Sequence, residues 1–237
     1  MDSSTNQILN ENILEIRYKP NPQILDYRGD LTKNLSAQMD LDQWKIDINR
    51  VDLFRIDQSI RVFVSFRNAG VVMRNIASVD SFVYIAQKYI HSLFNQKVMN
   101  NSYFIERVGV RSRFAFLSEL SFEKMVEKYQ ENFIVISDNV SELINAKLID
   151  IGFPLNYETE KGNINLIVGP MKKDQLHSYF SFEKKEVLPD VVFYYDFDYW
   201  KTINSQTSVK DLSSLLKTFA EENWQKCDDL HLLINRE

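Results

Sequence analysis

The sequence predicts an α+β protein. It should be a mainly antiparallel sheet with helices packed on one face, a βαββαβ, ferredoxin-type order in its first half, and a long C-terminal helix. Three observations carry this. Segments with apolar–polar alternation of period two recur through residues 12–74 and 104–117. Stretches of three- and four-residue apolar spacing follow Pro22 and Ser78 and separate those segments. From Ser208 onward an apolar stripe persists to Leu233, which as a helix spans roughly 39 Å.

Residues 1–10 are polar and are expected to fray. "NILEIRY" alternates and reads as the first strand, stopped by Pro20 and Pro22, the latter suited to a helix's first turn. Ile24, Tyr27, Leu31 and Leu35 then follow at helical spacing. "WKIDINRVDLF" sets Trp44, Ile46 and Ile48 against Lys45, Asp47 and Asn49, the pattern of one half-buried strand. "SIRVFVSFR" repeats the pattern, and Asn68-Ala69-Gly70 reads as a turn into "VVMRN".

Ser78 caps a helix whose stripe runs from Val79 and Phe82 to Leu93 and Phe94. The strand "FIERVGVRSRFAFL" follows, then a helix from Ser121 to about Phe133 bearing Met125, Val126 and Tyr129. Residues 147–157 and 163–170 read as strands joined near Lys161-Gly162. The charged stretch 171–188 reads as an irregular, mobile loop, and "VVFYYDFDYW" as a strongly β-prone strand. Ser208 and Asp211 resemble a capping box at the start of the last helix. The expected organisation is a lobe over 11–120 and a second α+β lobe over 121–237 packed on it as one folding unit.

Composition narrows the function. With 44% hydrophobic and 26% charged residues the chain is of ordinary globular type. A net charge of −5 disfavours a dedicated nucleic-acid binder, whose affinity comes largely from neutralising phosphates. The single cysteine, Cys227, allows no intramolecular disulfide. No apolar run reaches the roughly 18 residues of a membrane span, and "MDSSTNQILNEN" lacks signal-peptide character, so a cytoplasmic protein without membrane association is expected.

The arginine strand is the principal candidate surface. Arg107, Arg111 and Arg113 fall on one face beside Gly109, with same-face neighbours ~6.8 Å apart. Three such charges cannot be buried unpaired. Either carboxylates such as Glu15, Asp47 or Glu158 match them across strands, or they receive an anionic ligand or a protein partner. Gly109 would let a ligand or another backbone come close. Asp196 and Asp198, two apart on a strand, are candidates to share a divalent cation, although no phosphate-binding loop accompanies them. Cys227 and His231 are four apart on the last helix, where core packing competes with nucleophile–base chemistry. Aromatic strands could stack bases, but their alternation suits a core.

These residues point first to an intracellular binding or interaction protein that uses the arginine face for an anionic ligand or a protein partner. A second copy of the chain is among the possible partners, and no cofactor is expected. The alternatives are a metal-dependent enzyme acting on a phosphate-containing substrate and a single-stranded nucleic-acid binder. An enzyme is the less favoured class, since no nucleophile elbow, zinc-binding pair or dinucleotide fingerprint is present.

"ERVGVRSRF" resembles the Arg-[Ile/Val]-Gly-[Leu/Val]-Arg strand of a sporadically distributed bacterial protein family of about this length, whose members have no assigned activity. Arg107, Gly109 and Arg111 occupy the matching positions. "ILEIRY" and the apolar tail "WQKCDDLHLLI" are similar in placement. The family's strand continues with Tyr and Asn where this chain has Ser112 and Arg113. The resemblance implies a soluble bacterial protein and supplies no catalytic residues.

Overall fold

The structure is a computed structural model that describes residues 7–57, 59–99, 104–133, 150–180 and 189–235. Its strands are β1 (Gln7–Tyr18), β2 (Gln43–Ile46), β3 (Arg50–Phe54), β4 (Ile60–Ser65), β5 (Asn68–Arg74), β6 (Ile105–Leu117), β7 (Phe153–Glu158), β8 (Asn163–Lys172) and β9 (Val191–Ser205). They form one antiparallel sheet in the order β2-β3-β4-β5-β1-β6-β9-β8-β7. Within it β6-β1-β5-β4 has the 4-1-3-2 order of a βαββαβ unit, extended at one edge by β3 and β2 and at the other by β9, β8 and β7. The sheet passes unbroken between the two halves of the chain, because β6 pairs with β9 from Ile105 to Leu117.

The described helices are α1 (Gln23–Asp26), α2 (Arg28–Met39), α3 (Val79–Phe94), α4 (Phe122–Phe133), α5 (Lys173–Tyr179) and α6 (Val209–Ile234). Local chemistry sets several of their ends. Ser78 accepts the Ser81 N–H, and Ser208 accepts the Asp211 N–H at 3.1 Å while donating its hydroxyl to the Asp211 carboxylate at 2.6 Å. Asp40 closes α2 in the left-handed conformation, φ 56°. The α2, α3, α4 and α6 helices pack over one face of the sheet. Leu31, Leu35, Phe82, Tyr89, Met125, Leu216 and Phe219 meet Leu14, Ile16, Val108, Val110, Tyr195 and Tyr199 in a single core. On the opposite face, among the described residues, α5 alone packs against the sheet, where Leu176 and Phe180 join Leu9, Ala115, Met171, Val192 and Tyr194.

Four local expectations change. Of the stretch expected to fray, residues 7–10 are the first residues of β1, held by the burial of Leu9 and by the bond from Asn10 to Ile76 O. "WKIDINRVDLF" is not one strand but the hairpin β2–β3, because Asp47 N–H donates to Arg50 O at 2.8 Å and turns the chain at Ile48-Asn49. Asn68-Ala69-Gly70 lies inside β5, and the turn falls at Phe66-Arg67. Of the stretch read as a mobile loop, 171–172 close β8 and 173–179 form α5, held by the burial of Leu176. Phe180 follows α5 and is buried, while 181–188 and the first residues of the strand expected over 147–157 lie outside the described residues.

Candidate functional site

The register assembles a charged ladder on the open face. β6 lies between β1 and β9, so its outward residues Arg107, Gly109, Arg111 and Arg113 meet Arg17, Glu15, Ile13 and Glu11 on one side. On the other side they meet Thr202, Trp200, Asp198 and Asp196. Alternation alone brings these groups to one face.

The arginines are neutralised within the chain. Arg111 donates from Nε and Nη2 to the two oxygens of Asp196 at 2.8 and 2.5 Å, a bidentate pair. Arg113 donates to Glu11 at 2.8 Å and to Tyr179 O at 2.8 Å, with its Nε 3.5 Å from Asp196. Arg74 binds the other Glu11 oxygen at 3.0 Å. Arg107 donates to Asp198 at 3.0 Å and lies over the Trp200 ring, 4.4 Å from its centre. Alternating charges therefore cross four strands, from Arg74 through Glu11, Arg113 and Asp196 to Arg111. Asp196 is 2% exposed and also accepts the Tyr194 hydroxyl at 3.0 Å. Burial pushes the Tyr194 phenol and the Asp198 carboxyl above their ordinary values, for Asp198 against the pull of Arg107 and Arg111.

The sequence candidates are placed as follows. Of the suggested acidic partners, Glu15 bonds Arg17 at 2.9 Å and Asn68 at 2.8 Å, and Asp47 pairs with Lys45 at 3.0 Å. Glu158 lies on the far edge strand β7. Gly109 is closed over by its cross-strand neighbour, since a Cβ there would stand 3.0 Å from Trp200 Cβ. Asp196 and Asp198 have arginine partners, and among the described residues no group of three or more His, Cys, Asp or Glu could hold a metal ion. Cys227 is buried in the core and burial pushes its thiol up, while the His231 ring stacks on Phe116 and its Nδ1 lies 3.0 Å from the Tyr195 hydroxyl. That surrounding is core packing, and it disfavours a thiolate.

Two arrangements were not anticipated. Buried Asn223 donates to Val110 O at 2.9 Å, and Trp224 beside it donates to Asn12, which bonds Asn10, which in turn donates to Ile76 O. This polar chain ties α6 through β1 to the loop after β5. The second is a cleft of about 680 Å³ at the end of β1, β4 and β5, lined by Glu15, Arg17, Arg50, Ser65, Arg67 and Glu106, among others. Here the charges do not balance. Arg50 and Arg61 share the one carboxylate of Asp52. Glu15 is engaged by Arg17 and Asn68, and although burial acts to raise its carboxyl, those hydrogen bonds and the fields of Arg17 and Arg107 hold it below the ordinary value. The Arg67 guanidinium stacks 5.2 Å from its neighbour Phe66 and has no carboxylate partner among the described residues. Arg67 lies in a two-residue turn, and its guanidinium gave no periodic signal in the sequence.

No family model matches the chain, and no curated protein matches it. Among solved structures, the duplicated taurocyamine kinase from Schistosoma mansoni is similar over 92% of this chain and 33% of the kinase chain, with 9% identity and a TM-score of 0.35. The chain thus spans about a third of that protein, and a likeness at this level carries no argument. Among the described residues no helix is long and apolar enough to cross a membrane.

Proposed function

We propose that the protein is a binding module that takes an anionic group of a ligand or partner on the open face of its sheet. The anion enters the cleft at Arg67, with Arg17 and Arg50 on the same walls. The observation that carries this reading is Arg67, a guanidinium on a polar cleft with no ion pair to a carboxylate among the described residues. An oxyanion there would meet a donor already freed of competing ion pairs, and arginine's planar fork suits carboxylate or phosphate.

The stripe of Arg107, Arg111 and Arg113 has a different part in this reading. Arg111 and Arg113 tie β1, β6 and β9 into a floor, while Arg107, opposite Arg17 in register, stands at the cleft's border already paired with Asp198. Loops and strand ends on such a floor are where recognition groups are commonly placed.

Titration calorimetry with inorganic phosphate, short dicarboxylates and nucleoside phosphates tests the proposal. Wild type should bind at least one of them, Arg67→Ala should lose at least tenfold in affinity, and Arg67→Lys should recover part of it. Equal binding by wild type and Arg67→Ala would refute the assignment.

A further inference from the structure

The edge strand β2 presents a surface that the anion-binding reading does not use. Trp44, Ile46 and Ile48 are 58%, 46% and 81% exposed, three large apolar side chains within five residues on β2 and its turn, at an edge that no further strand pairs among the described residues. The two edges of the sheet differ. On β7, Thr159 and Gly162 exchange backbone hydrogen bonds, so by antiparallel alternation Pro154 points toward the open side, where it has no N–H to offer a neighbour. β2 has no such block. Its Asp47 N–H bonds Arg50 O, so the backbone groups of Lys45 and Gln43 turn toward β3 and those of Trp44 and Ile46 turn outward.

The strand is also self-complementary. In "WKIDI", Lys45 and Asp47 flank Ile46 symmetrically, with Trp44 and Ile48 outside them. A two-fold axis through Ile46, perpendicular to the sheet, would bring two copies of β2 together antiparallel. Ile46 would exchange both backbone bonds with its counterpart, each Lys45 would face the other copy's Asp47, and each Trp44 would come beside the other copy's β2–β3 turn, where Ile48 is exposed. Centring the axis on Lys45 instead would oppose like charges and bring together backbone groups already used by β3. Of these two registers, the one centred on Ile46 satisfies backbone hydrogen bonding and charge together.

We propose that β2 is a homodimer interface, two copies joining edge to edge about Ile46 into one continuous sheet. Lys45 and Asp47 already pair within the chain at 3.0 Å, so exchanging partners across the axis keeps both charges matched. What association adds is the cover of Trp44, Ile46 and Ile48 and the closure of an open edge.

Sedimentation equilibrium across a hundredfold range of concentration tests this on the intact chain. Wild type should reach twice the monomer mass. Ile46→Pro, whose lost N–H points to solvent in the monomer, should raise the dissociation constant at least tenfold. Lys45→Asp should do the same by opposing acids, and Lys45→Asp with Asp47→Lys should restore the dimer. A wild type that stays monomeric throughout, or a dimer unaffected by both Ile46→Pro and Lys45→Asp, overturns the proposal. Neither result bears on Arg67, which lies in the β4–β5 turn.

Discussion

Arg111 does not bond the residue opposite it. Its register partner on β9 is Asp198, yet its guanidinium closes a bidentate pair with Asp196, one step along the same face. The Arg107 guanidinium leans onto the vacated Asp198. The offset gives the two aspartates different environments, Asp196 buried under arginine and tyrosine donors and Asp198 more open.

Their substitutions should therefore differ. Asp196→Asn leaves Arg111 and the Tyr194 hydroxyl facing a neutral amide, and is expected to cost about 3 kcal/mol. For Asp198 the folded carboxyl titrates above its ordinary value. The native state then holds its proton more tightly than the unfolded chain, and ionisation erodes stability as pH rises through that window. Asp198→Asn should accordingly stay within about 1 kcal/mol of wild type at neutral pH. Urea unfolding of the two variants side by side measures the difference.

His231 supplies an acid-sensitive contact. Burial against Phe116 and Phe193 lowers its pKa to about 4, so the folded state holds the ring neutral while the unfolded chain protonates it near 6.5. Between those values the unfolded state binds more protons, so stability is full above pH 6.5 and is lost as pH falls toward 4. His231→Gln should show a shallower loss of stability from pH 7 to 4.5 than wild type. Carboxylates titrate in both proteins, so the difference between the two curves isolates the imidazole.

Two glycines should respond in opposite ways to alanine. A Cβ at Gly70 would stand 2.1 Å from Leu14 O and 2.7 Å from the Phe63 ring, with β1 already paired at that point. Gly70→Ala is expected to cost about 3 kcal/mol or more. Gly29, in the first turn of α2, has nothing within 4 Å of such an atom, and Gly29→Ala should stabilise by about 0.5–1 kcal/mol through helix propensity. Thermal melting of both variants checks the pair.

Much of this fold was legible in local chemistry. The serine caps at Ser78 and Ser208, the stripe of α6 and the alternation of β1 and β6 are each written within a few residues of where they act. The β2–β3 hairpin was less so. The spacing of Trp44, Ile46 and Ile48 runs through the turn without a glycine, and the reversal shows only where Asp47 meets Arg50. Helix α5 was hidden by its charges, since "KDQLHSY" carries no apolar stripe and is held to the sheet by buried Leu176 together with the Arg113–Tyr179 O bond and the Tyr179–Tyr194 ring contact.

The site was harder still. That three arginines share a face followed from a period of two, but their partners Glu11, Asp196 and Asp198 are 85 to 102 residues away and are chosen by register. Pairing within the sheet depends on strand order, which no local pattern in "ERVGVRSRF" encodes. Arg67 gained its significance only once β1, β4 and β5 ended around one cleft.

The most direct test of an anion site at that cleft is thermal melting of wild type and Arg67→Ala against phosphate, nucleotides, dicarboxylates and short single-stranded DNA and RNA. Without ligand the two should melt alike, since an exposed turn side chain contributes within about 0.5 kcal/mol. An anion at a hundred times its dissociation constant should stabilise wild type by ~2.7 kcal/mol, a rise of several degrees, and leave Arg67→Ala unmoved. Wild type unmoved by every anion, or both proteins shifted equally, would contradict the account.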